Sequence, residues 1–206
     1  MTETEFGPAI LSRPVYGELA PRTGPGHLMV ADGVGAEALV NLVSKAVDGA
    51  DAMLGHSHII YVPGPDGKDL TLLLERLGAA QFFRAPTFAA ALPRLKKVLA
   101  DAHMGLQIYL AGTEGLIGQV QREVVEAGLP HTAVQAEHRG STVRRVQCVH
   151  CKGITEHVRT DPFKCTHCGL NLFVRDHYSR RLAAFQGVCI DAEDPGEVPA
   201  AVERFK

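Results

Sequence analysis

The sequence predicts an α/β domain built on a doubly wound parallel sheet, followed by a small module clipped by four cysteines. Three observations predict it. Short apolar runs alternate with stretches of helical spacing from residue 28 to residue 138. That alternation is the pattern of parallel strands joined by crossover helices, with helices on both faces. Four cysteines then read Cys148-x2-Cys151-x13-Cys165-x2-Cys168. The charge also changes sign: residues 1–138 carry 10 Lys/Arg against 15 Asp/Glu, residues 139–181 carry 9 against 3, and residues 182–206 carry 2 against 5. A length of 206 residues suits one domain of ordinary size plus a small one, and 46% hydrophobic content supplies a core.

Residues 1–27 hold Pro8, Pro14, Pro21 and Pro25 with several glycines. They read as an extended arm that packs on something else. Leu28-Met29-Val30-Ala31 is the first strand, and Asp32-Gly33-Val34-Gly35 a glycine turn. Residues 36–48 have helical spacing. His58-Ile59-Ile60-Tyr61-Val62 is the second strand and runs into Pro63-Gly64-Pro65-Asp66-Gly67. A helix over 68–77 carries Leu70, Leu72, Leu73, Leu74 and Leu77. A short strand follows near Gln81-Phe82-Phe83, then a helix over 87–102 with Thr87 as its N-cap. Gln107 to Ala111 is a strand ending at Gly112, and residues 114–127 are a helix stopped by Gly128 and Pro130. Thr132 to Ala136 closes the α/β domain at 28–138.

Residues 139–142 read as a linker, 143–190 as the metal-binding module and 191–206 as an acidic tail that lies against a partner or is partly mobile. Each C-x-x-C pair can curl so that both sulfurs point at one ion, with a hairpin between the pairs bringing them together. Cys148, Cys151, Cys165 and Cys168 are the predicted ligands, of one zinc or of one iron in a rubredoxin-type centre. Gly153 and Gly169 relieve strain where the backbone turns its N–H groups towards sulfur. His150, His157 and His167 read as surface residues, and Cys189, in an apolar run, as a buried free thiol. Leu170 to Val174 is a closing strand. The polar run Arg175 to Gln186 reads either as a solvated helix cap, with Asp176 paired to an arginine, or as a docking surface.

The same features exclude several classes. Residues 1–12 carry acids and no apolar core, so no signal peptide is read there. No apolar run reaches the roughly 18 residues that span a bilayer. The expectation is a soluble, cytoplasmic chain with no membrane partner. No arginine run or aromatic interleaving supports nucleic acid as ligand of the basic segment, and an acidic protein partner is favoured. No nucleophile–base constellation stands out, and His56, His58 and His131 are scattered, so no catalytic residue is assigned.

Two stretches carry a resemblance. Leu28 to Gly35 stands where a known module has an apolar strand followed by G-G-x-G. Ile108-Tyr109-Leu110-Ala111-Gly112-Thr113 stands where it has I-Y-x-C-G-P, and Gly128-Leu129-Pro130 with Glu137 fits its closing passage. Together they resemble the NAD(P)-binding module of the ferredoxin–NADP reductase superfamily, in particular its phthalate dioxygenase reductase branch. The resemblance makes Gly33, Gly35 and Gly112 the candidate cofactor-binding positions. The departures weigh against a working site. Asp32 and Glu37 add negative charge where pyrophosphate would sit, Ala111 and Thr113 replace the cysteine and proline, and the 27 residues ahead of the module lead to the expectation that no flavin barrel accompanies it. The domain therefore reads as a degenerate nucleotide-binding module.

The second stretch is the cysteine segment with its continuation C-G-L-x-L-x-V-R-D-H-Y-S-R-R-L from Cys168 to Leu182. It is similar to the small subunits of bacterial dimethylamine monooxygenases. This resemblance implies an accessory or electron-transfer subunit of a multi-subunit, NADPH-dependent enzyme that demethylates dimethylamine oxidatively to methylamine and formaldehyde. It also implies reductase and oxygenase subunits as partners, which carry the NADPH, flavin, iron–sulfur and oxygen-activating cofactors. Two other readings stay open: a zinc-ribbon adaptor or docking subunit of another complex without redox role, and an NAD(P)-using reductase in its own right.

Overall fold

The computed structural model describes residues 14–47, 49–64 and 68–206. Residues 1–13 of the predicted arm and Pro65-Asp66-Gly67 of the predicted turn lie outside the described residues. The chain divides into two units, Tyr16–Thr142 and, in the main, Val143–Lys206.

In the first unit, β1 (His27–Asp32), β2 (Ser57–Val62), β3 (Gln81–Arg84), β4 (Gln107–Gly112) and β5 (Val134–His138) form one sheet of order β3-β2-β1-β4-β5. Every pairing is parallel. Central parallel strands are covered on both faces and read as continuous apolar runs. Leu28 and Val30 accordingly face one layer while Met29 and Ala31 face the other. Helices α1 (Gly35–Lys45), α2 (Ala50–Gly55) and α3 (Thr71–Glu75) cover the Met29 face with Leu39, Leu42, Leu54 and Leu74. Helices α4 (Phe88–Ala100) and α5 (Glu114–Glu126) cover the opposite face with Leu95, Leu99, Ile117 and Val124. The predicted doubly wound parallel sheet is therefore the observed one. Thr87 caps α4 as predicted, its side chain accepting from the Ala90 amide at 3.2 Å.

Three local expectations change. The helix predicted over 68–77 is only Thr71–Glu75, because Asp69 accepts from the Thr71 amide (3.0 Å) and pairs with Arg84, and so forms a turn instead of a helical residue. The helix predicted over 36–48 stops at Lys45, and the separate α2 follows. The strand predicted over 132–136 begins at Val134, behind a 3-10 turn at His131–Ala133.

Residues 16–26 have no regular secondary structure and lie along β5. The Gly17 amide donates to the Ala136 carbonyl (3.0 Å), and the Gln135 side chain exchanges two hydrogen bonds with the Ala20 backbone. Leu19 is 1% exposed in the core under α1. The segment thus covers sheet surface beside α1.

The second unit holds β6 (Arg144–Cys148), β7 (Ile154–Val158), β8 (Thr160–Asp161), β9 (Phe163–Lys164), β10 (Asn171–Ser179), β11 (Ala184–Cys189) and β12 (Val202–Glu203). Five of them form a sheet of order β7-β6-β11-β10-β9, in which only β6 and β11 run parallel. The two cysteine pairs do not share the predicted hairpin. Each sits on its own, β6–β7 and β9–β10, at opposite edges of the sheet. The run from Arg175 to Gln186 is not a helix cap but the end of β10 and the start of β11, with a register shift between Arg175 and Tyr178. Asp176 does pair with an arginine, Arg144, at 2.9 Å. The Arg144 guanidinium lies between the rings of Phe185 (3.9 Å) and Phe205 (4.3 Å). Phe205 is buried there because β12 pairs back onto β8.

Candidate metal centre

The second sheet curls so that its two edges meet. At the β7 edge the Thr155 hydroxyl bonds the Thr166 hydroxyl (3.1 Å) and accepts from the Thr166 amide (3.3 Å). A His167 ring nitrogen bonds the Ile154 carbonyl at 2.9 Å. These bonds hold the loop after β9 against β7.

Both loops have the same backbone. In the first, the Cys148 amide donates to the Gly153 carbonyl (2.9 Å) and the Lys152 amide to the Cys148 carbonyl (3.0 Å). In the second, the Cys165 amide donates to the Leu170 carbonyl (2.9 Å) and the Gly169 amide to the Cys165 carbonyl (3.0 Å). The residue after the second cysteine of each pair is left-handed, Lys152 at φ 63° and Gly169 at φ 77°. The expectation for Gly153 is therefore corrected. Its loop takes the left-handed turn at Lys152, and Gly153 is glycine because a Cβ there would meet the His167 ring. Superposing the two C-x-x-C pairs in sequence aligns Lys152 with Gly169, the signal that identifies the strained position.

The four sulfurs of Cys148, Cys151, Cys165 and Cys168 all lie within 4.8 Å of one another, with two cross-loop separations of 3.8 Å. Four tetrahedral bonds of about 2.3 Å set sulfurs roughly 3.8 Å apart. A disulfide needs about 2.05 Å, so this is a ligand spacing and not a pair of bridges. Burial pushes the Cys165 thiol up, but the amides of Cys168 and His167 and the neighbouring thiols bring it down to about 6. The Leu170 amide draws Cys168 down, yet desolvation and the other three thiols push it up to about 12. One thiol gives up its proton readily and another is held back by the sulfurs around it. A cation at the centre resolves that conflict, because metal ligation requires the thiolate form. The donor set and spacing fit zinc and iron alike.

Cys148 and Cys165 are buried against Leu172, Cys151 is half-buried and Cys168 faces solvent. The centre thus has one open edge. His150, His157 and His167 are exposed, and no histidine joins the sulfur group. Cys189 is half-buried, not buried as expected, and its thiol donates to the Asp191 carboxylate at 3.2 Å. That bond, with desolvation, pushes its pKa up.

In the first unit, Gly33, Gly35 and Gly112 come together at the carboxyl ends of β1 and β4, where the strand order reverses. A Cβ on Gly35 would overlap the Ala111 carbonyl, and one on Gly112 would overlap the Asp32 carboxylate. Asp32 accepts from the Thr113 amide (2.8 Å) and hydroxyl (2.6 Å), at the start of α5. Burial pushes the Asp32 carboxyl up, partly offset by those two bonds. Asp32 thus binds the N-cap residue of α5, whose hydroxyl in turn accepts from the Leu116 amide at 3.3 Å.

Both units match one family. Residues 8–134 match the family described as "Dimethylamine monooxygenase subunit DmmA-like, N-terminal domain" and residues 145–188 its "C-terminal domain". The chain belongs to the DmmA-like family. Among curated proteins it is 30% identical over 169 residues to the "Heme-dependent oxidative N-demethylase delta subunit" of Ectopseudomonas mendocina (strain ymp), covering 82% of each chain. Among solved structures, this DmmA-like chain is similar to the ferredoxin reductase of carbazole 1,9a-dioxygenase (17% identity, TM-score 0.39, 58% of this chain and 34% of that one). It is also similar to the flavohemoglobin of Malassezia yamatoensis (13%, 0.40, 57% and 32%) and to CYP116B46 of Tepidiphilus thermophilus (14%, 0.41, 66% and 19%). The chain thus spans a third or less of most of these structures, and the fold assignment rests on the strand order and parallel register above.

Proposed function

We propose that this chain is the electron-transfer subunit of an oxidative N-demethylase complex, with dimethylamine as substrate and NADPH as the electron source. One observation carries the reading: membership of the DmmA-like family across both units, joined to a four-sulfur centre whose Cys168 edge is open. On this reading Cys148, Cys151, Cys165 and Cys168 hold one iron, and the chain relays electrons from a flavin and iron–sulfur reductase subunit to an oxygenase subunit. The demethylase relative is named as heme-dependent, so heme is the oxygen-activating group proposed for the oxygenase. The division into arm (1–27), degenerate nucleotide module (28–138), metal module (143–190) and tail (191–206) belongs to the same proposal, as does a cytoplasmic location. No helix among the described residues is long and apolar enough to cross a membrane.

Charge supports a protein partner. All three acids of residues 139–181 are consumed in ion pairs: Glu156 with Arg145 (2.8 Å), Asp161 with Arg204 (2.7 Å) and Asp176 with Arg144 (2.9 Å). Lys152 and Lys164 beside the sulfurs are exposed. An acidic partner surface suits that rim.

A second reading is favoured by the knitting of the two edges through Thr155, Thr166 and His167. It makes the centre a zinc clip and the chain a docking subunit without redox role. A visible spectrum and elemental analysis on one purified sample decide between them. A red protein that bleaches with dithionite and carries about one iron per chain supports the electron carrier. A colourless protein with about one zinc overturns it and leaves the docking subunit.

A further inference from the structure

We propose that the α/β unit also binds a small organic oxyanion, a carboxylate or a phosphate monoester, in a cavity at the amino ends of the strands, with Arg94 as its anchor. The cavity measures about 460 Å³ and opens beside the first residues of β1, β2 and β3, under the carboxyl-terminal half of α4. It lies at the end of the sheet opposite Gly33 and Gly112, so it is not a remnant of a dinucleotide site. Volumes of this order are those of small-molecule pockets.

Arg94 on α4 is fixed by two neutral acceptors. Its Nε donates to His58 Nε2 (3.2 Å) and its Nη2 to Gln81 Oε1 (2.6 Å). Its guanidinium also lies over the Phe83 ring at 5.9 Å. It has no carboxylate partner among the described residues. The bond to His58 needs a lone pair on Nε2 and therefore an uncharged imidazole. Burial, with the Arg94 charge beside it, holds His58 down at about 4, so the acceptor persists at neutral pH. The result is an oriented guanidinium whose charge no described residue neutralises and whose Nη1 has no partner among them.

The other charges on the wall cancel. Lys97 and Asp101 pair with each other at 3.0 Å, and Asp101 caps the carboxyl end of α4, the helix end that favours cations. With the histidines neutral, the formal excess on the wall is the single charge of Arg94, reduced but not cancelled by the carboxyl end of α4, and it suits one oxyanion. Val98 and Leu106 supply apolar wall for an organic body. Four histidines, His27, His56, His58 and His103, line the same space. Their nitrogens do not gather as a metal site would require, since the four cysteines are the one such group among the described residues.

The test is an NMR titration of the full-length protein that follows the Arg94 Nε–H and the His58 ring. Sodium benzoate, inorganic phosphate and adenosine monophosphate are the probes, with sodium chloride at matched ionic strength as control. The expected result is a saturable shift of both signals with at least one probe and none with chloride. Saturation with benzoate alone assigns a carboxylate, and with the nucleotide or phosphate a phosphate. Arg94→Gln weakens the binding about tenfold or more, whereas Arg94→Lys, which keeps the charge and loses the fork, retains part of it. Circular dichroism checks that both variants fold. If no probe gives a saturable shift into the millimolar range, or chloride reproduces it, Arg94 only pins α4 to β2 and β3 and the proposal falls. The outcome is independent of whether the chain carries electrons.

Discussion

Removing the metal should unfold the second unit and leave the first intact. The perturbation is a strong chelator on the wild-type chain, matched by Cys165→Ser. The unit has one small core, made by Val146, Val158, Val174, Tyr178, Phe185 and Phe205, with Leu172 under the sulfurs. A single core in a unit of this size rarely supplies more than roughly 3–5 kcal/mol. A four-thiolate zinc site contributes on the order of 10 kcal/mol to folding. The tie is therefore larger than the reserve. It also fastens β7 to the loop after β9, which the sheet's own ladder leaves at opposite edges. Hydrogen exchange read by mass spectrometry on peptides from each strand is the assay. Peptides from β6, β7, β10 and β11 should lose protection after metal removal, while those from β1, β2 and β4 keep it. Full protection in β6 and β11 with the metal demonstrably gone would refute the reasoning. So would equal loss in β1 and β4, because the two units would then not fold separately.

Four further outcomes follow from single groups. Leu19→Ala should destabilise the first unit by about 2–4 kcal/mol in a urea melt, because this side chain anchors the arm in the core. His58 should titrate near 4 by NMR. Its folded pKa lies below its unfolded value of 6.5, so its contribution is complete above pH 6.5 and is lost as pH falls towards 4, at most about 3 kcal/mol. Asp32 has the opposite sign for a carboxylate: its raised pKa favours the protonated form when folded, so stability falls as pH rises from about 4 through the raised value. Asp32→Asn should thus melt no lower than wild type at pH 7 and lose its relative advantage near pH 4, and a marked drop at pH 7 would contradict this. Phe205→Ala should cost about 3 kcal/mol or more and release β12 from β8, seen as lost exchange protection at Val202.

The first unit was legible because parallel strands buried on both faces spell themselves out. Leu28 to Ala31, Ile59 to Val62 and Ile108 to Ala111 are unbroken apolar runs, and the helices between them carry apolar stripes. What was not legible was short or locally diverted. Helix α2 has six residues, of which only Met53 and Leu54 are buried, too few to show a period. The leucines of 70–77 suggest three turns, but the Asp69 turn allows fewer. In the second unit the cysteine spacing alone located all four sulfurs. The pairing of β6 with β11 was invisible, since it joins residues nearly 40 positions apart through Val146 and Phe185. The polar run from Arg175 to Gln186 disguised two strands. Their inward positions are Val174, Tyr178, Phe185 and Gly187, and the register shift breaks the alternation between the first two.

The two glycine-lined loop systems of this chain face opposite electrostatic problems. At the carboxyl ends of β1 and β4 the backbone has the turn and the helix start that a phosphate requires, yet Asp32 already accepts from Thr113 there. A pyrophosphate in that position must displace the carboxylate or lie against it, and like charges about 4 Å apart cost ~4 kcal/mol at an effective dielectric of ~20. At the sulfur cluster the problem is inverted. Amides of His167, Cys168 and Leu170 already point at sulfur, and the thiols that oppose one another's ionisation need a cation. One unit thus sets a carboxylate of its own beside its glycine turn, and the other gathers four sulfurs that could hold a cation, with one edge, Cys168, facing solvent.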